Sequence, residues 1–103
     1  MPVIVASVVP KPEHVDEVRA ALLAAVPEVH QEAGCKLYSV HEGNGKFFFI
    51  EEWADDAALA AHSTSPALVE MVKRLDGLTD GGFDLSILTP LPAGNPAQGQ
   101  LRP

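Results

Sequence analysis

The chain has 103 residues, of which 47% are hydrophobic and 20% are charged. This length suits one domain built around one hydrophobic core and is too short for two independent cores. The 14 acidic and 7 basic side chains give a net charge of −7. Because nucleic acids and anionic membranes are bound by clustered Lys and Arg, this acidic balance argues against both as partners.

Cysteine content and hydropathy narrow the class of protein further. A single cysteine, Cys35, allows neither an internal disulfide nor a cysteine-based metal site. The longest apolar stretch, residues 2–10, is too short to span a bilayer and follows no basic segment. We therefore expect a cytoplasmic protein that has no membrane span and no signal peptide.

The first half of the chain predicts a strand, a helix and a hairpin. Residues 3–9 are β-branched and apolar, which is typical of a strand. A helix should begin near Pro12, with apolar residues repeating at helical spacing, and Pro27 should kink it or end its regular part. Strands at 35–42 and 46–53 flank Gly43-Asn44-Gly45, a turn of the kind found in hairpins. Alternation along the first of these strands puts Cys35 on the face of Leu37 and opposite to Tyr38.

The second half predicts a helical segment, a last strand and a tail. Asp55 or Asp56 should cap a first helix, and Ser65-Pro66 is a capping pair for a second short helix. Residues 83–91 have the pattern of a strand, and 93–103 are rich in Pro, Gly and Gln. The order β-α-β-β-α-β predicts an α+β, ferredoxin-like fold with both helical segments on one face of an antiparallel sheet. We expect this domain at 1–92, followed by a flexible tail at 93–103.

The predicted strands are apolar on both faces. In the third strand Phe47, Phe49 and Trp53 share one face, while Phe48 and Ile50 lie on the other. Helices cover only one face of such a sheet, so the second apolar face would be a large exposed patch on a monomer. The pattern therefore predicts a homodimer whose sheets pack face to face or close into a shared barrel.

Few side chains in the sequence suggest chemistry. The four histidines are not spaced as metal ligands, so no metal site is expected. His62 lies on a short helix just after the strand that ends at Trp53. It has two possible roles: a general base near neutral pH, or a half-buried structural histidine, which the residues alone favour. Glu51 and Glu52 point to opposite faces of their strand, and whichever is inward needs a partner.

Three motifs, in order along the chain, resemble those of the antibiotic biosynthesis monooxygenase (ABM) domain family. Residues 32–38, Glu-Ala-Gly-Cys-Lys-Leu-Tyr, resemble its E-x-G-C-x-x-Y segment. Residues 51–53, Glu-Glu-Trp, resemble its E-x-W strand end. Residues 59–62, Leu-Ala-Ala-His, followed by Ser65-Pro66, resemble its A-L-x-x-H segment. The match extends from Val3 to Leu88 and leaves out the tail.

The resemblance implies a dimeric α+β barrel with an apolar pocket between sheet and helices. Members of the family include cofactor-independent monooxygenases that oxidise quinols or polycyclic phenols with molecular oxygen. The expected partners are then a second copy of the chain, a small aromatic or quinone-like substrate and molecular oxygen, with no cofactor. By the family match, His62, as the base, and Trp53 are the expected catalytic residues. The expected substrate-binding residues are Tyr38, Phe47, Phe49 and Glu51.

The family is heterogeneous, so the resemblance leaves other functions open. One branch degrades haem with an Asn on the first strand, where this chain has Val5 or Ser7. Another isomerises a small phosphorylated sugar, which requires cationic ligands that are scarce here. A third possibility is a non-catalytic dimeric domain that binds a small apolar ligand.

Overall fold

The computed structural model describes residues 1–103 and has four strands and three α-helices. The strands are β1 (Val3–Val8), β2 (Cys35–Gly43), β3 (Lys46–Trp53) and β4 (Asp84–Leu88). The helices are α1 (Val15–Val29), α2 (Asp56–His62) and α3 (Pro66–Arg74). The predicted ferredoxin-like arrangement is confirmed, with its second helical segment divided into α2 and α3.

The four strands form one antiparallel sheet in the order β2-β3-β1-β4. The register places Ile4 of β1 between Glu51 of β3 and Ile87 of β4. Tyr38 of β2 is in turn opposite Glu51. Since partners in register share a face, these four side chains form one row on the helix side of the sheet.

The predicted helix caps are confirmed, and they explain why the second helical segment is broken. Asp55 accepts a hydrogen bond from the Ala58 N–H at 2.8 Å. Ser65 accepts one from the Leu68 N–H at 3.3 Å and is followed by Pro66 in the first turn of α3. Because Ser65 caps a second helix only ten residues after Asp55 caps the first, the segment forms two short helices and not one.

Two element boundaries differ from the predicted ones by more than one residue, both near prolines. Helix α1 is preceded by a 3-10 turn at Pro12–His14 and continues past Pro27 to Val29. Pro27 lies in the last turn and removes one backbone hydrogen bond there. The helix still continues, and Val29 is fully buried against the core. Strand β4 ends at Leu88 rather than at residue 91. Pro90 follows closely and has no N–H for the sheet.

A β-bulge near the start of β2 changes the face of Cys35. The register shifts between Cys35 and Leu37, so that Cys35 is opposite Trp53 while Leu37 is opposite Glu52. Cys35 therefore lies on the helix side, where it packs against the core. The prediction that Cys35 shares a face with Leu37 was wrong, because Lys36 is an extra residue in the bulge that strict alternation does not anticipate.

The hydrophobic core lies between the sheet and the helices. Its largest fully buried side chains come from β1, β3 and α1, and include Ile4, Leu22, Phe47, Phe49 and Trp53. The opposite face of the sheet, called the outer face below, carries Val5, Phe48 and Ile50 and has no helix on it. Val5 is 37% exposed there, and the other two are half-buried.

The C-terminal segment 93–103 lies beside one end of the outer face. It contains a turn in which Asn95 Oδ1 accepts the Ala97 N–H at 2.8 Å. Residues 98–101 border the same groove as Val3, Val5 and Leu88. At this end Val3 is buried, whereas Val5 in the next row is open. The outer face is therefore only partly covered by its own chain.

Candidate active site

An apolar cavity of about 300 Å³ lies between the sheet and helices α2 and α3. Eleven of its 14 lining residues are hydrophobic. A protein cavity of about 150 Å³ holds one benzene, so this cavity has room for a ligand of one or two rings. The lining comprises Ile4, Ala6, Tyr38, Phe49, Glu51, Leu59, His62, Ser63, Leu68, Met71, Val72, Phe83, Leu85 and Ile87.

The β4 side of the cavity is open to solvent. Leu85 and Ile87 line the cavity but are 54% and 63% exposed. Beside them the Phe83 ring packs edge-on against Phe49, with ring centroids 5.6 Å apart. A flat apolar ligand would therefore find aromatic and aliphatic walls at the entrance.

The polar end of the cavity is built around His62, the last residue of α2. Its imidazole is buried and stacks on the Trp53 indole, with centroids 4.4 Å apart and planes 28° apart. The Tyr38 ring meets the same imidazole edge-on at 5.6 Å. These two contacts hold the plane of the His62 ring, and its Nε2 edge is directed toward Glu51 at the cavity wall.

Glu51 is the inward-pointing glutamate of β3, and its partner is an indole. The Trp53 Nε1–H donates to Glu51 Oε1 at 3.0 Å. The same oxygen is 3.8 Å from His62 Nε2, which is beyond hydrogen-bonding distance. Burial raises the pKa of Glu51, against the opposing effects of the indole hydrogen bond and nearby His62.

Two other groups near the cavity are held in their protonated forms. Burial, with smaller contributions from the charges of Glu51 and Glu32, raises the pKa of the Tyr38 hydroxyl well above its usual value. The same causes raise the pKa of the Cys35 thiol. The Tyr38 hydroxyl is thus a hydrogen-bond donor at neutral pH, and Cys35 is a poor nucleophile.

The structure adds one residue, Glu32, to which the sequence analysis gave no role. Glu32, in the turn between α1 and β2, places Oε1 2.9 Å from His62 Nδ1. Its other oxygen accepts a hydrogen bond from the Ser65 hydroxyl at 2.9 Å. Glu32 does not line the cavity and supports His62 from behind.

A glycine allows Glu32 to reach His62. Gly34 has a φ of +81°, and a Cβ at this position would lie 2.5 Å from the Ala58 Cβ of α2. Its carbonyl also accepts the Ala54 N–H at 2.8 Å. Only glycine permits so close an approach with that backbone conformation. The E-x-G-C motif was the sequence feature that could have identified Glu32, because its glycine brings this turn against α2.

The residues predicted for the site separate into two groups. His62, Tyr38, Phe49 and Glu51 line the cavity. Trp53 and Phe47 do not. Trp53 is fully buried behind His62, and Phe47 lies at the other end of β3, where the Arg19 guanidinium carbon is 5.7 Å from its ring centroid. The roles assigned to these six residues stay predictions.

No group of three or more His, Cys, Asp or Glu side chains is arranged to hold a metal ion. None of the helices has the length and apolar character needed to cross a membrane.

Known proteins resemble this chain in both sequence and structure. The family model described as antibiotic biosynthesis monooxygenase matches residues 1–74. A crystal structure described as an antibiotic biosynthesis monooxygenase is 27% identical, with a TM-score of 0.82 over 89% of this chain and 100% of that chain. None of the curated proteins matches the sequence.

Two structures from named bacteria are about equally similar. Rv0793 from Mycobacterium tuberculosis is 26% identical, with a TM-score of 0.83 over 92% of this chain and 100% of that chain. PA3566 from Pseudomonas aeruginosa is 27% identical, with a TM-score of 0.80 over 87% of this chain and 93% of that chain. The similarity thus includes nearly the whole domain.

Proposed function

This chain belongs to the antibiotic biosynthesis monooxygenase family, and we propose that it oxidises a quinol or polycyclic phenol-like substrate with molecular oxygen and without a cofactor. The observation that carries the proposal is the placement of the His62 imidazole at the polar end of an otherwise apolar cavity. An apolar cavity suits the ring system, and a single basic nitrogen suits one hydroxyl.

The proposed reaction takes all its electrons from the substrate. A phenol that consumes one molecule of oxygen loses two hydrogens, gains one oxygen atom and becomes a quinone, and the second oxygen atom leaves with those hydrogens as water. Loss of the hydroxyl proton comes first, because a phenolate transfers an electron to oxygen more readily than a phenol does. The protein's task is then to bind the ring, remove that proton and stabilise the oxyanion.

Three residues at the polar end of the cavity have parts in this proposal. His62 takes the hydroxyl proton at Nε2 and becomes an imidazolium. Tyr38, whose hydroxyl keeps its proton, donates a hydrogen bond to the phenolate oxygen. Trp53 acts without lining the cavity, since its indole both stacks on His62 and holds Glu51.

Two of the remaining predicted residues, Phe49 and Glu51, position the substrate. Phe49 provides an aromatic wall beside the entrance ring of Phe83. Glu51 lines the cavity beside His62, and we assign to its carboxyl the contact with a second hydroxyl of a quinol. Phe47 packs in the core at the far end of the same strand, and its effect on binding would be through the position of β3.

Oxygen uptake tests the proposal directly. The purified protein is supplied with a naphthohydroquinone and no added cofactor, and substrate autoxidation is subtracted with a protein-free blank. We expect protein-dependent uptake, and a decrease of about 100-fold or more in kcat for His62→Ala, because one general base contributes about 10²- to 10⁴-fold. His14→Ala is the matched control, because His14 is near the start of α1 and its side chain bonds only to nearby Glu17.

The possible outcomes separate the parts of the proposal. Uptake that His62→Ala leaves unchanged would keep the reaction and reject His62 as the base. No uptake above the blank with several quinols would reject the monooxygenase. If the protein still binds the quinols in that case, it is a small-ligand-binding domain, which the same apolar cavity also suits. A phosphorylated substrate is disfavoured, since no Lys or Arg lines the cavity.

We further propose that the protein is a homodimer joined through the outer face of the sheet. Supporting this, Val5, Phe48 and Ile50 form an apolar surface there that its own chain covers only in part. Sedimentation equilibrium should show a dimer for the wild type and a monomer for Ile50→Asp. Val69→Asp, which changes an exposed valine of α3, should remain dimeric. A monomeric wild type at micromolar concentration would contradict this proposal.

A further inference from the structure

We propose that Glu32 is a positioning residue that sets the tautomer of His62 and so makes Nε2 the basic nitrogen in the cavity. The inference deepens the proposed function, and its effect on turnover rests on that function. The tautomer itself depends only on the chain's own hydrogen bonds.

Glu32 and His62 meet through a carboxylate oxygen and a ring nitrogen. Glu32 Oε1 lies 2.9 Å from His62 Nδ1. An ionised carboxylate can only accept hydrogen bonds, so the network assigns the hydrogen to Nδ1. A neutral imidazole carries one ring hydrogen, and Nε2 is therefore left with a free lone pair. In this tautomer, the nitrogen on the cavity side is ready to accept a proton.

Glu32 is itself held in place. Its Oε2 accepts a hydrogen bond from the Ser65 hydroxyl at 2.9 Å, and Ser65 is fixed as the N-cap of α3. Gly34, two residues further on, lets the turn approach α2 closely. The carboxylate is thus anchored from α3 while it contacts the last residue of α2. A group held on both sides loses little entropy when it orients a neighbour.

The orientation of the His62 ring depends on both Trp53 and Glu32. Stacking on Trp53 holds the plane of the His62 imidazole, but stacking by itself does not distinguish the two edges of the ring. The Glu32 contact supplies that distinction by holding the Nδ1 edge. When Nε2 takes a proton, the resulting imidazolium has Glu32 at Nδ1 and Glu51 Oε1 3.8 Å from Nε2. The positive charge thus forms between two carboxyl groups.

Glu32→Gln is the informative substitution. The Gln carbonyl would keep the acceptor for Ser65, which places the amide NH₂ against His62 Nδ1. An amide N–H is a donor, so it favours an unprotonated Nδ1 and moves the ring hydrogen to Nε2. The variant thereby inverts the tautomer with almost no change in side-chain volume.

Heteronuclear NMR of the imidazole nitrogens tests the proposal without turnover. At a pH where His62 is neutral, we expect the Nδ1–H tautomer in the wild type and the Nε2–H tautomer in Glu32→Gln. Glu28→Gln is the matched control, because Glu28 is an exposed glutamate at the end of α1, and it should leave the His62 signals unchanged. A wild type with the Nε2–H tautomer would overturn the proposal, whether or not the variant folds.

Kinetics then connect the tautomer to the reaction. For Glu32→Gln we expect kcat in oxygen uptake to fall by about 100-fold, with KM for the quinol changed only a few-fold because Glu32 does not line the cavity. Ser65→Ala should give a smaller loss of kcat. An inverted tautomer with unchanged kcat would overturn the role in catalysis. The expected tautomers in a protein that consumes no oxygen would reject the proposed function and leave the positioning by Glu32 intact.

Discussion

The two faces of the sheet differ in whether their buried polar groups have hydrogen-bond partners. Two adjacent glutamates of β3 show the difference. Glu51 and Glu52 point to opposite faces, yet both are buried, with exposures of 5% and 2%. On the helix side, Glu51 accepts the Trp53 indole N–H. On the outer side, Glu52 Oε1 is buried without a hydrogen-bond partner. A buried polar atom without a partner is rare in folded proteins.

This difference indicates which face of the sheet lacks contacts within a single chain. On the helix side, the polar groups around the stacked Trp53 and His62 find their partners, among them the carboxyl groups of Glu32 and Glu51, within one chain. The outer side has a half-open apolar surface and an unpaired carboxylate oxygen. The outer face is therefore the one whose energetics should depend on a second copy, and the helix side should not.

The largest expected effect comes from neighbouring phenylalanines on the two faces. Phe49 is 1% exposed in the core, whereas Phe48 is half-buried on the outer face. Phe49→Ala should lower the free energy of unfolding by about 3–5 kcal/mol at any protein concentration, because it leaves a core cavity. Phe48→Ala should cost about 1 kcal/mol in dilute protein. Denaturant unfolding at two protein concentrations measures both values.

Protein concentration makes the comparison between the two phenylalanines sharper. In the proposed dimer, the cost of Phe48→Ala grows with concentration, since association stabilises the wild type by mass action. A cost for Phe48→Ala that matches that of Phe49→Ala in dilute protein would show that the two faces are equally buried within one chain.

The second-largest effect is on the free energy of unfolding, which should change in opposite directions when Glu52 and Glu51 are replaced. Glu52→Met removes the unpaired oxygen and should raise the free energy of unfolding of the monomer by about 1 kcal/mol. Glu51→Met leaves the buried Trp53 N–H without its acceptor and should lower it by about 1–2 kcal/mol. Thermal unfolding of the Ile50→Asp background, in which the proposed dimer is absent, isolates these monomer values. A loss of stability for Glu52→Met there would mean that the carboxylate has a partner within the chain.

The smallest effect is a dependence of stability on pH that belongs to Glu51. Burial raises its pKa in the folded state, so the folded protein binds the proton more tightly than the unfolded chain does. The stabilisation is fully present below the unfolded pKa of about 4.3. It is lost as pH rises through the folded pKa. Glu51→Gln keeps an oxygen for the indole but does not titrate.

Unfolding measured from acid to neutral pH detects this difference. The stability of Glu51→Gln relative to the wild type should increase as pH rises. Glu28→Gln, at an exposed position, should show a difference that does not change with pH. A constant difference for Glu51→Gln as well would contradict the assigned direction of the pKa.

Much of the fold could be predicted from the sequence, because its causes are local. The hairpin turn at Gly43-Asn44-Gly45 needs residues that tolerate positive φ, and Asn44 has a φ of 54°. Asp55 and Ser65 cap their helices as their side chains predict. The bulge at Lys36 could not be predicted in this way, because strand alternation contains no mark of an extra residue.

The candidate site was predictable only in part. The motifs led to His62, Tyr38, Phe49 and Glu51, which the structure places around one cavity. They did not distinguish Phe49 from Phe47, which share a face of β3 but lie two residues apart along it, so that only the first reaches the cavity. They also gave Glu32 no role, since its partner His62 is 30 residues away in the chain.

By itself, the sequence determined the order of strands and helices, the helix caps, and a sheet with two apolar faces. These features arise from side-chain periodicity and from hydrogen bonds between residues a few positions apart. Only the tertiary structure decided which residues of a shared face meet at the cavity, that Glu32 stands behind His62, and that Glu52 is buried without a partner. Those outcomes depend on how α2, α3 and the turn at Gly34 pack over the sheet, and on a face of the sheet that no helix covers. These arrangements join residues that are far apart in the chain, so the neighbours of a residue in the sequence do not predict them.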